Sequence, residues 1–507
     1  MLAKTESVAF IGAEARLVEV EVHVGTGIPA FRIVGLPATS IKEAEQRTRS
    51  ALLSSEQRWP PARIVANLAP AALPKEGTHF DLPLALGIIA ADGRLDADVL
   101  GDWLIVGELA LDGSVRPVRG VLPSAISCRR TGRKGVICPA ANAAEAAAID
   151  GIEVVPVKTL RDCVAFLKGQ WRPGPVEGDE VAPPQIGEDL SEVRGQDDAK
   201  RALAIAAAGG HNLLMVGPPG AGKTMLARRF PGILPSMSQD ESLEVTQIHS
   251  VAGTLPEGAA LIRTRPFRSP HHHVSMAGLI GGGRGLARPG EVSLAHHGVL
   301  FLDELPLFRR EALESLRGPL EDGSVRIARS AGAVTFPCSF SLLGAMNPCQ
   351  CGHLNDSLID CRCSSVDLER YTSRLSGPLL DRFDMEIGVG RVTPDQLLGD
   401  GSSEGSSGVR SRVEAARSIQ TSRYGIATRT NSNVPTRDLR RHLRMSATAA
   451  EELRHAVTYG CLSGRAFDRT LRVARTIADL EGSLKVDHHH LLSALSLRVR
   501  ANLEVAA

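Results

Sequence analysis

The run from His211 to Thr224 constrains the fold more than any other part of the sequence. An apolar segment, His211-Asn212-Leu213-Leu214-Met215-Val216, leads straight into Gly217-Pro218-Pro219-Gly220-Ala221-Gly222-Lys223-Thr224, and Met225 to Arg229 continue it as a helix-forming stretch. A strand that feeds a glycine-rich turn, which in turn opens a helix, is the full context a phosphate-binding loop requires. The glycines let backbone N–H groups close around phosphates, and the helix N-terminus adds partial positive charge. Lys223 is then placed to reach the β and γ phosphates of ATP, and the Thr224 hydroxyl to ligate magnesium.

At 507 residues and 43% hydrophobic, the chain is too long for one core and reads as an α/β multidomain protein. Residues 1–170 alternate strand-like runs (15–24, 64–68, 104–109, 135–138, 153–157) with helical stretches (41–54, 82–91), which predicts a first α/β domain. Residues 171–185, mixing Pro, Gly and acid without a period, read as a linker. Residues 186–395 carry the phosphate loop in a core expected to hold a parallel sheet, and 396–408, with its Gly-Ser run, reads as a flexible tether. Residues 409–507 predict a helical domain, with helices at 410–421, 436–443, 447–459, 464–480 and 487–502.

Lys plus Arg number 58 against 57 for Asp plus Glu, so net charge excludes neither class of partner. The helical region alone holds an excess of basic residues, which fits either a solvated face or a nucleic-acid footprint. The chain opens without a basic segment followed by an apolar core, and its apolar run at 82–91 is too short to span a bilayer. A soluble, cytoplasmic protein with no membrane partner is expected.

A second apolar run, Gly298-Val299-Leu300-Phe301-Leu302, ends in Asp303-Glu304. Paired carboxylates at the end of a buried strand suit magnesium binding by the first and orientation of an attacking water by the second, so hydrolysis is expected as well as binding. Phe340 to Met346 form another strand-like run ending in Asn347; Arg374 to Asp384 include Arg382; and Leu462-Ser463-Gly464-Arg465 sits in the helical region. Together these residues resemble the AAA+ superfamily, in the branch that contains magnesium-chelatase ATPase subunits and MCM helicases. The resemblance implies that Asn347 is sensor 1, that Arg382 is an arginine finger donated to a neighbouring subunit's ATP, and that Arg465 is the sensor 2 arginine on a helical lid. Arg374, Arg469, Arg472 and Arg475 stand nearby as alternatives for the two arginines. Val193-Arg194-Gly195-Gln196 resembles the segment that packs on adenine.

The stretches 268–283 and 288–298, leading into Asp303-Glu304-Leu305-Pro306, resemble the YifB/ComM family of magnesium-chelatase-like proteins over nearly the whole chain. That resemblance implies a homo-hexameric, ATP-driven helicase acting on DNA junctions by branch migration, in recombination or natural transformation. The alternative is a magnesium-chelatase-like remodelling ATPase with a protein or metallo-cofactor partner. The first domain is similar to the Lon protease proteolytic domain at Pro74-Lys75-Glu76-Gly77, 82–87 and 107–118. His79 stands where that pattern has its nucleophilic serine, and the segment after Gly120 is Val121-Leu122-Pro123-Ser124, without the lysine base. The likeness therefore implies a non-proteolytic module for interaction or DNA binding.

Four of the nine cysteines, Cys349, Cys351, Cys361 and Cys363, form two C-x-C pairs on one loop. Four thiolates can close a structural zinc site; reduced structural cysteines or a redox pair remain as readings, and His353 can replace one sulfur. The tracts His271-His272-His273 and His488-His489-His490 have no carboxylate or cysteine at ligand spacing and read as surface or interface histidines. Gly323 to Phe336 alternates like a hairpin, and in the resembled helicases a hairpin here lines the pore, which makes Arg326 and Arg329 candidates for phosphate contacts or for a subunit interface.

Overall fold

The first sheet is built around a strand that the sequence hides. A computed structural model of the chain describes residues 1–176, 188–256, 258–283, 287–329, 332–356, 358–398, 404–459 and 462–499, so most of the expected linker and the middle of the expected tether lie outside the described residues. Nine strands belong to the first domain: β1 (Leu2–Ile11), β2 (Glu14–Gly25), β3 (Ala30–Val34), β4 (Arg63–Ala69), β5 (Trp103–Ile105), β6 (Glu108–Leu109), β7 (Val115–Arg116), β8 (Gly135–Pro139) and β9 (Glu153–Val157). Seven of them form one mixed sheet in the order β3-β4-β2-β1-β5-β8-β9, and β6 and β7 form a separate ribbon. β1 pairs antiparallel with β2 and parallel with β5, which puts it near the middle of the sheet. Its centre reads Lys4-Thr5-Glu6-Ser7, too polar to suggest a buried strand. It is buried because partners meet it: Thr5 donates to the Pro83 carbonyl at 3.2 Å, and Arg133 donates to Glu6 at 2.5 Å. The helix Asp81–Ala91, buried along its whole length, covers the sheet.

The second unit holds β10 (Leu213–Val216), β11 (Phe267–Arg268), β12 (Gly281–Gly282), β13 (Arg288–Pro289), β14 (Val299–Leu302), β15 (Ser324–Arg329), β16 (Gly332–Pro337), β17 (Ser341–Met346) and β18 (Met385–Gly388). Five of these make an all-parallel sheet, β11-β14-β17-β10-β18. Val299 to Leu302 and Leu342 to Ala345 are apolar or glycine throughout and buried, as expected of strands covered on both faces. β15 and β16 pair as an antiparallel hairpin in which Val325, Ile327, Val334 and Phe336 turn inward, while Arg326 is exposed. The side chain of Arg329 and residues 330–331 lie outside the described residues. The first domain packs on this unit through the helix Gln239–Ala252: Ser250 donates to Glu145 at 2.6 Å, and Gln247 donates to the Ala13 carbonyl at 2.7 Å.

Among the described residues five helices follow, Ser406–Tyr424, Thr436–His442, Ala447–Thr458, Gly464–Leu480 and His488–Ser496. The first begins inside the expected tether, so residues 406–408 are helical and not a free spacer. Ser406 is buried, and its backbone and hydroxyl are tied to Asp189 and to the Leu190 N–H, contacts that a Gly-Ser composition does not announce. Part of the local basic excess is used inside, while Arg437, Arg440, Arg441 and Arg444 are exposed. Arg417 donates to the Ala207 carbonyl, Arg472 to the carbonyls of Asn431, Ser432 and Val434, and Arg475 to that of Leu484. Asp479, with a fully buried side chain, accepts from Arg423 and Asn431, each at 2.8 Å, and from Arg475 at 3.1 Å. Asn431 continues to Thr476, which bonds His211 at the approach to β10. This buried network fastens the helical region to the parallel sheet.

Among the described residues, no helix is long and apolar enough to cross a membrane. Removing one member of a buried charge network leaves the others uncompensated. Asp479→Ala is therefore expected to lower stability by about 3–5 kcal/mol, read as a fall in the urea midpoint of the transition that reports the helical region.

Candidate nucleotide site

All five strands of the second sheet point the same way, so the loops leaving β10, β14 and β17 gather at one edge. β10 delivers the phosphate loop, β14 delivers Asp303 and Glu304, and β17 delivers Asn347. Open parallel sheets bind ligands at this carboxyl edge. The loop opens the helix Lys223–Ile233, and Gly222 immediately before it has φ +91°, a conformation an L side chain resists; a Cβ there would meet nothing within 4 Å, so the backbone and not crowding requires glycine.

Lys223 Nζ donates to the carbonyls of Gly217 at 2.6 Å and Pro218 at 2.9 Å and to Asn347 Oδ1 at 3.2 Å. Burial holds its ammonium below the usual lysine value, while the charges of Asp303 and Glu304 act to raise it. Thr224 Oγ1 donates to Asp303 Oδ2 at 2.7 Å. A hydroxyl and a carboxylate converging at the start of the loop helix are hard oxygen donors of the kind magnesium takes, so the residues fit that ion. Tyr371 braces the third group by donating to the Asn347 carbonyl at 3.1 Å.

Glu304 occupies the left-handed region, φ 51° and ψ 47°, although it carries a side chain, a conformation that costs of order 1–2 kcal/mol. Its N–H donates to Asp303 Oδ1 at 2.9 Å, and its carboxylate, 57% exposed, lies 3.6 Å from His272 Nδ1. The histidine tract therefore does meet a carboxylate, one brought in by the fold from beyond any local spacing. Glu481 likewise accepts from His489 and His490, each at 3.0 Å. Sequence spacing missed both contacts because each joins separate elements.

A cavity of about 630 Å³ has a lining that includes Leu190, Gly195, Val409 and Leu480 together with the charged Lys200 and Glu404. Gln196 ties this wall to the loop by donating to the carbonyls of Ala221 at 3.2 Å and Gly390 at 2.6 Å. The segment 193–196 thus borders a space of the size a nucleoside needs, between the core and the helical region.

Arg382 and Arg465 sit elsewhere. The Arg382 carbonyl accepts from Asn212 Nδ2 at 2.9 Å, and the Asp384 N–H donates to the Asn212 carbonyl at 3.0 Å, so Arg382 lies where β10 begins. Its guanidinium pairs with Glu321. Arg465, 72% exposed, reaches Asp381 at 3.2 Å, and Arg469 reaches the same carboxylate at 2.8 Å. The intervening four-residue strand spans roughly 13 Å, more than an arginine side chain covers. The structure thus joins Lys223, Thr224, Asp303 and Asn347 at one edge of the sheet, and Arg382, Arg465 and Arg469 at the other. Arg472 and Arg475 are committed inside the helical region, and Arg374 is exposed.

The cysteine loop follows Asn347. The sulfur atoms of Cys349, Cys351, Cys361 and Cys363 all lie within 4.8 Å of one another. His353 Nδ1 is turned to Asp356 at 3.0 Å, and Asp356 also accepts from Arg391.

Three family models match in succession: "Subunit ChlI of Mg-chelatase" over residues 20–142, "Magnesium chelatase, subunit ChlI" over 189–397, and "Magnesium chelatase, subunit ChlI C-terminal" over 403–498. Competence protein ComM of Haemophilus influenzae is 43% identical over 99% of this chain and 98% of its own length. The uncharacterized protein YifB of Escherichia coli is 42% identical over 97% of this chain and 96% of its own. A shorter match, 34% identical over 18% of this chain and 17% of the relative, is to Lon protease 2 of Bacillus subtilis. With the nucleotide motifs gathered on one parallel sheet and full-length identity to these relatives, the chain belongs to the YifB/ComM family of magnesium-chelatase-like AAA+ ATPases.

Proposed function

We propose that the chain is an ATP-hydrolysing motor that assembles as a homo-hexameric ring and drives branch migration at DNA junctions, in recombination or natural transformation. The observation that carries the catalytic part is the separation of functional groups to opposite edges of one parallel sheet. The phosphate loop, Asp303, Glu304 and Asn347 lie at the carboxyl edge, while Arg382 and Arg465 lie at the amino edge, each held in a carboxylate pair. A head-to-tail neighbour brings the second group onto the first, and such contacts close into rings when the rotation allows.

On this reading Lys223 and the loop N–H groups hold the β and γ phosphates. Bound magnesium, held by Thr224 and Asp303, supplies charge neutralisation at the phosphates. Glu304 orients the attacking water, Asn347 fixes its line of approach, and the neighbour's arginine edge stabilises charge at the transferring group. The DNA part is supported by the family resemblance and by the hairpin β15–β16, whose exposed Arg326 suits contacts to phosphates that carry no sequence information.

The first domain serves in this proposal as a non-proteolytic, Lon-like module for interaction or DNA binding. His79 is buried, bonded to the Val8 carbonyl at 2.8 Å and packed on Phe10 and Phe80; burial lowers its pKa to about 4. Lys75 is buried against the carbonyls of Gly35 and Pro70, and Ser124 donates to the Gly120 carbonyl at 2.6 Å. These groups hold the domain together; their arrangement is not that of a nucleophile facing its base.

Glu304→Gln is expected to bind ATP and assemble while turnover falls by about a hundred-fold or more, measured by phosphate release; turnover near the wild-type rate would remove the role given to Glu304. Mixtures of Arg382→Ala with Lys223→Ala chains are expected to regain ATPase activity through interfaces that pair an intact loop with an intact arginine, and no recovery at any ratio would contradict a shared site. With ATP, the purified protein is expected to move a labelled three- or four-stranded DNA junction. An intact ATPase that leaves the junction unmoved and is indifferent to DNA would favour the remodelling of a protein or metallo-cofactor partner.

A further inference from the structure

We propose that Cys349, Cys351, Cys361 and Cys363 hold one structural zinc ion, and that the resulting knuckle fixes the phosphate loop from outside. Cys349 Sγ lies 3.3 Å from Cys351 Sγ and 3.7 Å from Cys361 Sγ, and Cys351 Sγ lies 3.6 Å from Cys361 Sγ. Tetrahedral zinc with Zn–S bonds of about 2.3 Å sets its sulfur atoms about 3.8 Å apart, whereas a disulfide draws two of them to about 2.05 Å. The thiols are therefore gathered at the spacing of ligands around one centre and not at that of a bonded pair.

Backbone N–H groups complete the arrangement. Those of His353 and Arg362 donate to the Cys351 sulfur, and that of Cys363 donates to the Cys361 sulfur. Donors of this kind orient thiolate ligands and offset their charge. His353, engaged with Asp356, stands outside the four-sulfur group.

The loop also needs something to hold it. Between Asn347 and Ser364 the described residues form no helix or strand; Cys349 and Gly352 are buried and Asp356 pairs with Arg391, while Leu358 and Ile359 are exposed, so few contacts anchor the outer part of this span. A long segment without secondary structure in a compact domain gains its order from such contacts together with a cross-link or a metal.

The knuckle touches the nucleotide machinery at one point. Gly352, between Cys351 and His353, has φ +85°, and a Cβ there would come within 2.6 Å of Pro219 Cδ in the phosphate loop. Two residues before Cys349 is Asn347, the partner of Lys223. Zinc in the knuckle thus fixes the surface on which the loop rests, a consequence that depends on the ATP reading given above.

The full-length protein purified without added chelator is expected to contain one zinc per chain by elemental analysis. After exchange into cobalt it is expected to show the absorption of a tetrahedral thiolate complex. Absence of both overturns the site. Gly352→Ala is expected to keep its zinc and to weaken binding of a fluorescent ATP analogue by about ten-fold, as zinc removal also does. Affinity unchanged by either treatment overturns the bracing. A wild-type chain that holds zinc and binds no nucleotide overturns the ATP reading and the bracing with it, while the zinc content stands as a separate measurement.

Discussion

The common direction of five short strands is the constraint on which the rest depends. Because β11, β14, β17, β10 and β18 are all parallel, everything that leaves their carboxyl ends collects at one edge and everything that enters them lies at the other. The loop of Lys223, the Asp303-Glu304 pair and Asn347 come together without being close in sequence. Arg382, which precedes β18, is carried by the same geometry to the far edge. In the proposed reading, a single chain therefore presents two incomplete halves of a hydrolytic site, and the chemistry of each half calls for the other.

Around that sheet, separate devices maintain the geometry. The buried Asp479 network ties the helices to the approach of β10, so the wall of the nucleoside-sized cavity moves with the strand that carries the phosphate loop. Gln196 pins the opposite wall to Ala221 within the loop itself. The strained backbone at Glu304 persists in a setting where β14 and the helical turn after it fix both flanks, which is where such strain is usually found. On the other side, the first domain bonds to the helix Gln239–Ala252, which places it beside the core.

How much of this could be read from the sequence follows from how local each signal is. The phosphate loop was legible because strand, turn and helix are contiguous, and the helices from 436 onward because apolar spacing is a local property, although the last, expected to reach 502, ends at Ser496. β1 was not legible, since Thr5 and Glu6 are buried only through Pro83 and Arg133. The start of the helix at Ser406 depends on Asp189, more than two hundred residues away. The His272–Glu304 and Glu481–His489 contacts were invisible to spacing rules, and composition did not show that Arg417, Arg472 and Arg475, part of the basic excess near the C-terminus, bond to internal carbonyls. In each of these cases the deciding partner lies on a distant element.

The central claim, that catalysis needs two copies because the loop and the arginines occupy opposite edges of one sheet, is tested most directly by ATP turnover per chain as a function of protein concentration, with assembly followed in parallel by sedimentation. Turnover per chain is expected to be near zero where the protein is monomeric and to rise together with assembly. Turnover per chain that stays constant down to concentrations at which only monomer sediments would contradict the account.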